Sequence, residues 1–185
     1  KWFVFNSPSS PTGTAYSAAD LKKLTDVLLK HPHVWVLTDD MYEHIYWAPE
    51  PFCSFVTANP DLYDRTVTIN GVSKSYAMTG WRIGYCGGPA TIIDAMSTIQ
   101  SQSTSNPSSI AQKAAVTALN ADQSCVAEMN QHFRARHDFF NAGLNALPGF
   151  RVLPAAGTFY AWCDVSGAIQ NLGLADDHEF AEFLL

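Results

Sequence analysis

The sequence predicts an α/β protein: a mostly parallel sheet in a three-layer α/β/α arrangement, then a long linking helix and part of a smaller α+β unit. Three observations point there. Apolar runs at residues 2–5, 34–37 and 66–69 have the length of buried strands, and the first two enclose a stretch of helical periodicity. Strand, helix, strand with short links is the punctuation of a βαβ unit. From residue 89 to residue 147 the pattern then turns helical.

Taken in order, residues 2–5 read as a strand and residues 6–13 as a turn cluster of Asn, Ser, Pro and Gly. Ser17, with Asp20 three positions on, marks a helix start. Leu21, Leu24, Val27 and Leu28 continue that helix until His31-Pro32 stops it. Residues 34–37 form the second strand, which ends at the acidic pair Asp39-Asp40; the β-rich run 65–70 holds the third, and residues 82–86 the fourth. Ile92, Ile93, Ala95, Met96 and Ile99 make one helical stripe, interrupted at 103–109. An alanine-rich helix follows over 110–119, and a third spans 123–147, closed by Pro148-Gly149. A helix of ~25 residues reaches close to ~40 Å at 1.5 Å per residue, long enough to bridge two domains. Residues 150–153 and 158–163 read as strands of the second unit, with a helix from Asp176.

Composition narrows the functional classes. At 185 residues, 47% hydrophobic and 15% charged, the chain suits a well-buried globular protein. A net charge of -6 argues against a nucleic-acid partner. No apolar run approaches the ~20 residues that span a bilayer, so no membrane partner is expected. Cys53, Cys86, Cys125 and Cys163 lie far apart without a C-x-x-C pair, which suits a reducing cytoplasm and suggests no metal site. The chain starts inside a strand and stops in an uncapped helical pattern, so it reads as an internal fragment.

The most informative stretch is Asn70-Gly71-Val72-Ser73-Lys74-Ser75-Tyr76-Ala77-Met78-Thr79-Gly80-Trp81-Arg82-Ile83-Gly84-Tyr85. Lys74 follows a strand and precedes a glycine-bounded turn to Arg82. A partly desolvated amine at a strand end can lose its proton near neutrality and attack a carbonyl. A surface lysine capping a strand is the plainer alternative, but Tyr76, Met78, Trp81 and Tyr85 are a packed loop's residues. Asp39 likewise falls at a strand's carboxyl end, where α/β sheets gather ligands, though a turn-former or helix cap would also sit there. Tyr42 could be an ordinary packed aromatic, as Tyr46 and Trp47 are expected to be, and Arg82 could serve an ion pair.

That stretch closely resembles the cofactor-lysine motif of class I aminotransferases, the aspartate aminotransferase-like enzymes of PLP fold type I, in which S-K-x-(x)-x-M-x-G-x-R-x-G-Y recurs. Asn6-Ser7-Pro8-Ser9-Ser10-Pro11-Thr12-Gly13 and Leu37-Thr38-Asp39-Asp40-Met41-Tyr42 match the family in the same order, so the resemblance covers essentially the whole chain. It implies a pyridoxal 5'-phosphate enzyme that moves an amino group between an L-amino acid, aspartate above all, and a 2-oxo acid such as 2-oxoglutarate. It also implies a homodimer whose site is completed across the seam, with residues 102–107 either a contributor to that seam or an ordinary helix–helix linker. Residues 1–121 would be the C-terminal half of the large cofactor domain, 122–147 the interdomain helix and 148–185 the start of the small domain.

By the same resemblance Lys74 forms the internal aldimine, Asp39 pairs with the ring nitrogen and Tyr42 bonds the ring oxygen. Arg82 holds the phosphate, and backbone amides or Ser73 would substitute for a usual phosphate-binding serine where this chain has Gly71. Ser10 occupies the place of an asparagine that contacts the ring oxygen and the substrate α-carboxylate, and a bridging water could extend its shorter reach; Asn6 is a different position. A phosphate-cradling helix start upstream and a substrate-binding arginine downstream are expected outside this segment, which alone should be inactive. A non-catalytic relative, or a lyase or synthase on the same scaffold, is the alternative.

Overall fold

The computed structural model describes residues 1–185. Four strands, β1 (Trp2–Asn6), β2 (Trp35–Asp39), β3 (Thr66–Gly71) and β4 (Gly84–Gly87), lie side by side in sequence order. The first three are parallel, with Asn6 opposite Asp39 and Asp39 opposite Ile69. β4 returns antiparallel, pairing Gly71 with Gly84. The carboxyl ends of β1, β2 and β3 therefore emerge along one edge of the sheet, which is where a parallel sheet presents its ligand site. The fourth strand starts two residues later than the sequence suggests. Arg82 takes a left-handed backbone (φ 55) after a single 3-10 turn, Thr79–Trp81, so the extended run begins only at Gly84.

Helix α1 (Ala18–Leu29) starts as expected: the Ser17 hydroxyl accepts the Asp20 N–H at 3.2 Å. Its inner face brings Leu21 and Leu28 against Val36, Leu62 and Phe55, the last from the short helix α2 (Phe55–Ala58), with Phe3 and Phe5 beside them. Each such side chain stabilises the fold by about 1.5–3 kcal/mol on burial. Arg65 ends a 3-10 turn (Pro60–Arg65) just before β3, which starts at Thr66 as the sequence predicts. Its guanidinium donates to the carbonyls of Leu28, His31 and Val34, tying the end of α1 and its link to β2 against the start of β3.

Helices α3 (Ala90–Ser103), α4 (Ser109–Asn120) and α5 (Ser124–Asn145) follow, with the polar break where the sequence puts it. Ala111 and Ala115 of α4 pack on Val72 and Ile83, with Tyr76 and Met78 alongside. The long helix holds 22 residues, slightly fewer than the pattern suggests. No helix is long and apolar enough to cross a membrane. Beyond it, β5 (Arg151–Val152) and β6 (Cys163–Asp164) pair antiparallel in a separate sheet, and α6 (Ser166–Leu172) and α7 (Asp177–Leu184) close the chain.

The strand expected at 158–163 is reduced to its last residue, because Thr158 adopts φ 67. The segment before it is fastened elsewhere. Thr158 N–H donates to Ile45 O at 2.8 Å, Trp47 N–H to Ala156 O at 2.9 Å, and Ala156 N–H to Gly13 O at 3.0 Å. Gly13 makes this approach possible: it sits at φ 70, and a Cβ there would come within 2.4 Å of the Ala155 Cβ.

Candidate active site

The site is built at the ends of β1, β2 and β3. Asn6 stitches two of them: its amide donates to Asp39 O at 2.9 Å, and its side-chain oxygen accepts the Ser10 N–H at 2.7 Å. Asn6 thus shapes the turn that presents Ser10. One turn past β2, Tyr42 is 4% exposed, and its hydroxyl lies 2.9 Å from that of Tyr160. The Ser10 side chain sits beside both phenols. Lys74, just beyond β3, points its amine over the Phe159 ring, 5.6 Å from the centroid, and its charge reaches Tyr160.

The two phenols are unequal. Burial, then the Tyr160 hydroxyl, pushes Tyr42 well above the usual phenol range. Ser10, the Tyr42 hydroxyl and the Lys74 charge hold Tyr160 below it. Tyr160 is the stronger acid of the pair.

Asp39 and Asp40 have opposite surroundings, because successive strand residues face opposite sides. Asp39 is half-buried, its Oδ1 accepting the Met41 N–H at 3.1 Å, so it does shape a turn; its charge is also felt at Tyr42. Asp40 is buried on the other side, accepting the Thr38 hydroxyl at 2.7 Å. Burial first, then the nearby charges of Glu43 and Asp39, raises its pKa from 3.8 to about 6, against the opposing Thr38 bond. A carboxyl whose folded pKa is raised contributes fully below its unfolded value and loses that contribution as pH rises through the folded one. The window here runs from pH 3.8 to about 6. Asp40→Asn in the full-length protein is therefore expected to gain roughly 3 kcal/mol in stability at about pH 8 and little at about pH 4. Thermal melts at both pH values check this; equal gains would remove the ionisation account.

Ser10, Asp39, Tyr42 and Lys74 are thus brought to one edge. Arg82 and Ser73 belong to the same loop as Lys74, closed at its base by Val72 N–H to Ile83 O. Arg82 is exposed and donates to Thr79 O at 2.9 Å; it makes no ion pair, and no bond ties it to the phenol cluster. Ser73 is half-buried without a side-chain partner of its own. Tyr46 and Trp47 are structural, Tyr46 bridging to Gly157 and Trp47 donating its indole N–H to Ala155 O.

Sequence reading missed Phe159 and Tyr160. The only local sign was the pair of aromatics after Gly157-Thr158, in a stretch read as a strand of the second unit. As a donor set, the assembled residues suit pyridoxal 5'-phosphate: an amine for its aldehyde, a carboxylate for its ring nitrogen, a phenol for its ring oxygen, and an exposed guanidinium for its phosphate.

The family profile "Aminotransferase class I and II" matches residues 1–185. An aspartate/prephenate aminotransferase of Nitrosomonas europaea is 56% identical over 93% of this chain and 43% of its own length. An aspartate aminotransferase of Rhizobium meliloti is 48% identical over all of this chain and 46% of its own. The crystal structure of an aspartate aminotransferase from Rhizobium meliloti superposes with a TM-score of 0.87 at 52% identity, covering 90% of this chain and 42% of that one. An aromatic aminotransferase from Pyrococcus horikoshii gives 0.89 at 30% identity, covering 100% and 48%. The chain spans about half the length of these relatives.

Proposed function

The chain belongs to the class I and II aminotransferase family, and from that premise we propose that its protein is a pyridoxal 5'-phosphate-dependent aminotransferase. Its amino donor is an L-amino acid, aspartate first, and its acceptor a 2-oxo acid such as 2-oxoglutarate. The supporting observation is the convergence of the Lys74 amine, the Asp39 carboxylate and the Tyr42 phenol at the ends of two adjacent parallel strands. The names of the relatives support the substrate class.

When bound, the cofactor supplies a sink for the electrons of a substrate α-carbon that has lost a proton. The chain's residues do the rest. Lys74 Nζ holds the cofactor covalently and, once free, is the base for the α-proton. Asp39 keeps the ring nitrogen protonated, Tyr42 donates to the ring oxygen, and Arg82 with Ser73 holds the phosphate. Ser10 faces the substrate carboxylate. Borohydride reduction of the full-length holoprotein, followed by peptide mapping, tests this reading. The pyridoxyl label belongs on Lys74; finding it on Lys22, Lys23 or Lys113 would sink the assignment.

The large cofactor domain contributes residues 1–121, the linking helix 122–147, and the small domain 148–185. The active unit is a cytoplasmic homodimer, with the exposed break at 102–107 near its seam. Sedimentation of the full-length protein at micromolar concentration is expected to show a dimer. Active monomer alone would refute it.

A further inference from the structure

We propose that Tyr160 is a positioning residue for Tyr42: its hydroxyl donates to the Tyr42 oxygen and so leaves the Tyr42 proton free for the cofactor's ring oxygen. This rests on the function proposed above and assigns a further residue to the same site.

Two hydroxyls 2.9 Å apart share one hydrogen, so one donates and the other accepts. Tyr42 is 4% exposed and has little water to turn to. Were Tyr42 the donor, its only proton would be spent on Tyr160. Each phenol carries one proton and can also accept, so Tyr42 can give its proton to a ring oxygen only while its own oxygen takes the proton of Tyr160. A donated bond into the Tyr42 oxygen also polarises the Tyr42 O–H, strengthening the bond it gives in turn. The groups facing the pair are Lys74, Ser10 and Asp39, with Arg136 and His137 of α5 across the adjoining pocket.

The placement of Tyr160 is well enforced. Ala155, five residues before it, is held by both its backbone groups. Its N–H donates to His137 Nε2 at 2.9 Å, and its carbonyl accepts the Trp47 indole N–H at 2.9 Å. His137 Nε2 lies 3.0 Å from the Asn141 amide nitrogen as well. His137 Nε2 accepts the Ala155 N–H, and Nδ1 faces Asp138 at 3.1 Å. The bonds of Ala156 and Thr158 described above complete the clasp. The phenol ring reaches Tyr42 from a segment that is fixed by five hydrogen bonds.

The test uses full-length wild type, Tyr160→Phe, Tyr42→Phe and Tyr63→Phe, the last removing the hydroxyl of an exposed tyrosine before the start of β3, away from the site. In the cofactor-free proteins, ultraviolet titration should show one phenol ionising ahead of the rest, and Tyr160→Phe should abolish it. In the holoproteins, the midpoint of the visible absorbance titration should rise by about one pH unit in Tyr160→Phe, a tenfold weaker hold on the ring oxygen anion. Tyr63→Phe should leave it in place. An early phenol that survives in Tyr160→Phe overturns the pairing. A midpoint that moves in Tyr42→Phe but not in Tyr160→Phe overturns the positioning role. If wild type shows no visible cofactor band, the function proposed above fails instead, and the ultraviolet titration still decides the pairing.

Discussion

Lys74→Ala in the full-length protein is expected to lower transamination by at least ~10⁴-fold, because one atom has two duties. Nζ anchors the cofactor covalently and later handles the substrate's α-proton, and alanine removes both. The packing consequence is modest: Lys74 is half-buried at a loop, and its recorded contact is the approach to the Phe159 ring. The loss should therefore appear in turnover with little change in thermal stability. Lys113→Ala, on the exposed face of α4, is the comparison and should leave turnover within twofold or so, as surface changes usually do. Similar losses from the two substitutions would show that Lys74 has no special role.

Asp39→Ala should cost ~10²–10³-fold in turnover, the usual scale for removing one preorganised electrostatic partner of a developing charge. Asp40→Ala should cost far less, since Asp40 faces the protein interior with Thr38 while Asp39 shares the edge with Tyr42. Steady-state kinetics of the two variants at one pH decide the matter. Equal losses would mean that the carboxylates act together, contrary to their placement on opposite sides of the strand.

The parallel sheet was legible because β1, β2 and α1 announce themselves locally, by apolar runs and by Ser17 as a cap. The lysine loop was legible for the same reason: Lys74 and Arg82 lie eight positions apart, and the family motif contains both. Phe159 and Tyr160 were not legible. Their place is set by backbone bonds to Gly13, Ile45 and Trp47, more than a hundred residues away in sequence, and no periodicity encodes such pairing. The Thr158–Cys163 strand failed for a related reason: a left-handed residue at 158 serves that distant docking rather than a local ladder.

The two sides of the site differ in how far the chain must travel to make them. The loop bearing Lys74 and Arg82 closes over about ten residues, whereas Tyr42 and Tyr160 are 118 residues apart. Loop-closure entropy makes the longer contact costlier by roughly 2 kcal/mol before packing offsets it. During folding, the amine and its arginine can take their places while the phenols are still strangers. Partial opening of the native protein is expected to run the other way and part the phenols first. Hydrogen exchange at the Ala156 and Thr158 amides should accordingly outpace that in β3, so that the first sign of loosening is a Tyr42 left without its companion while Lys74 stays in place.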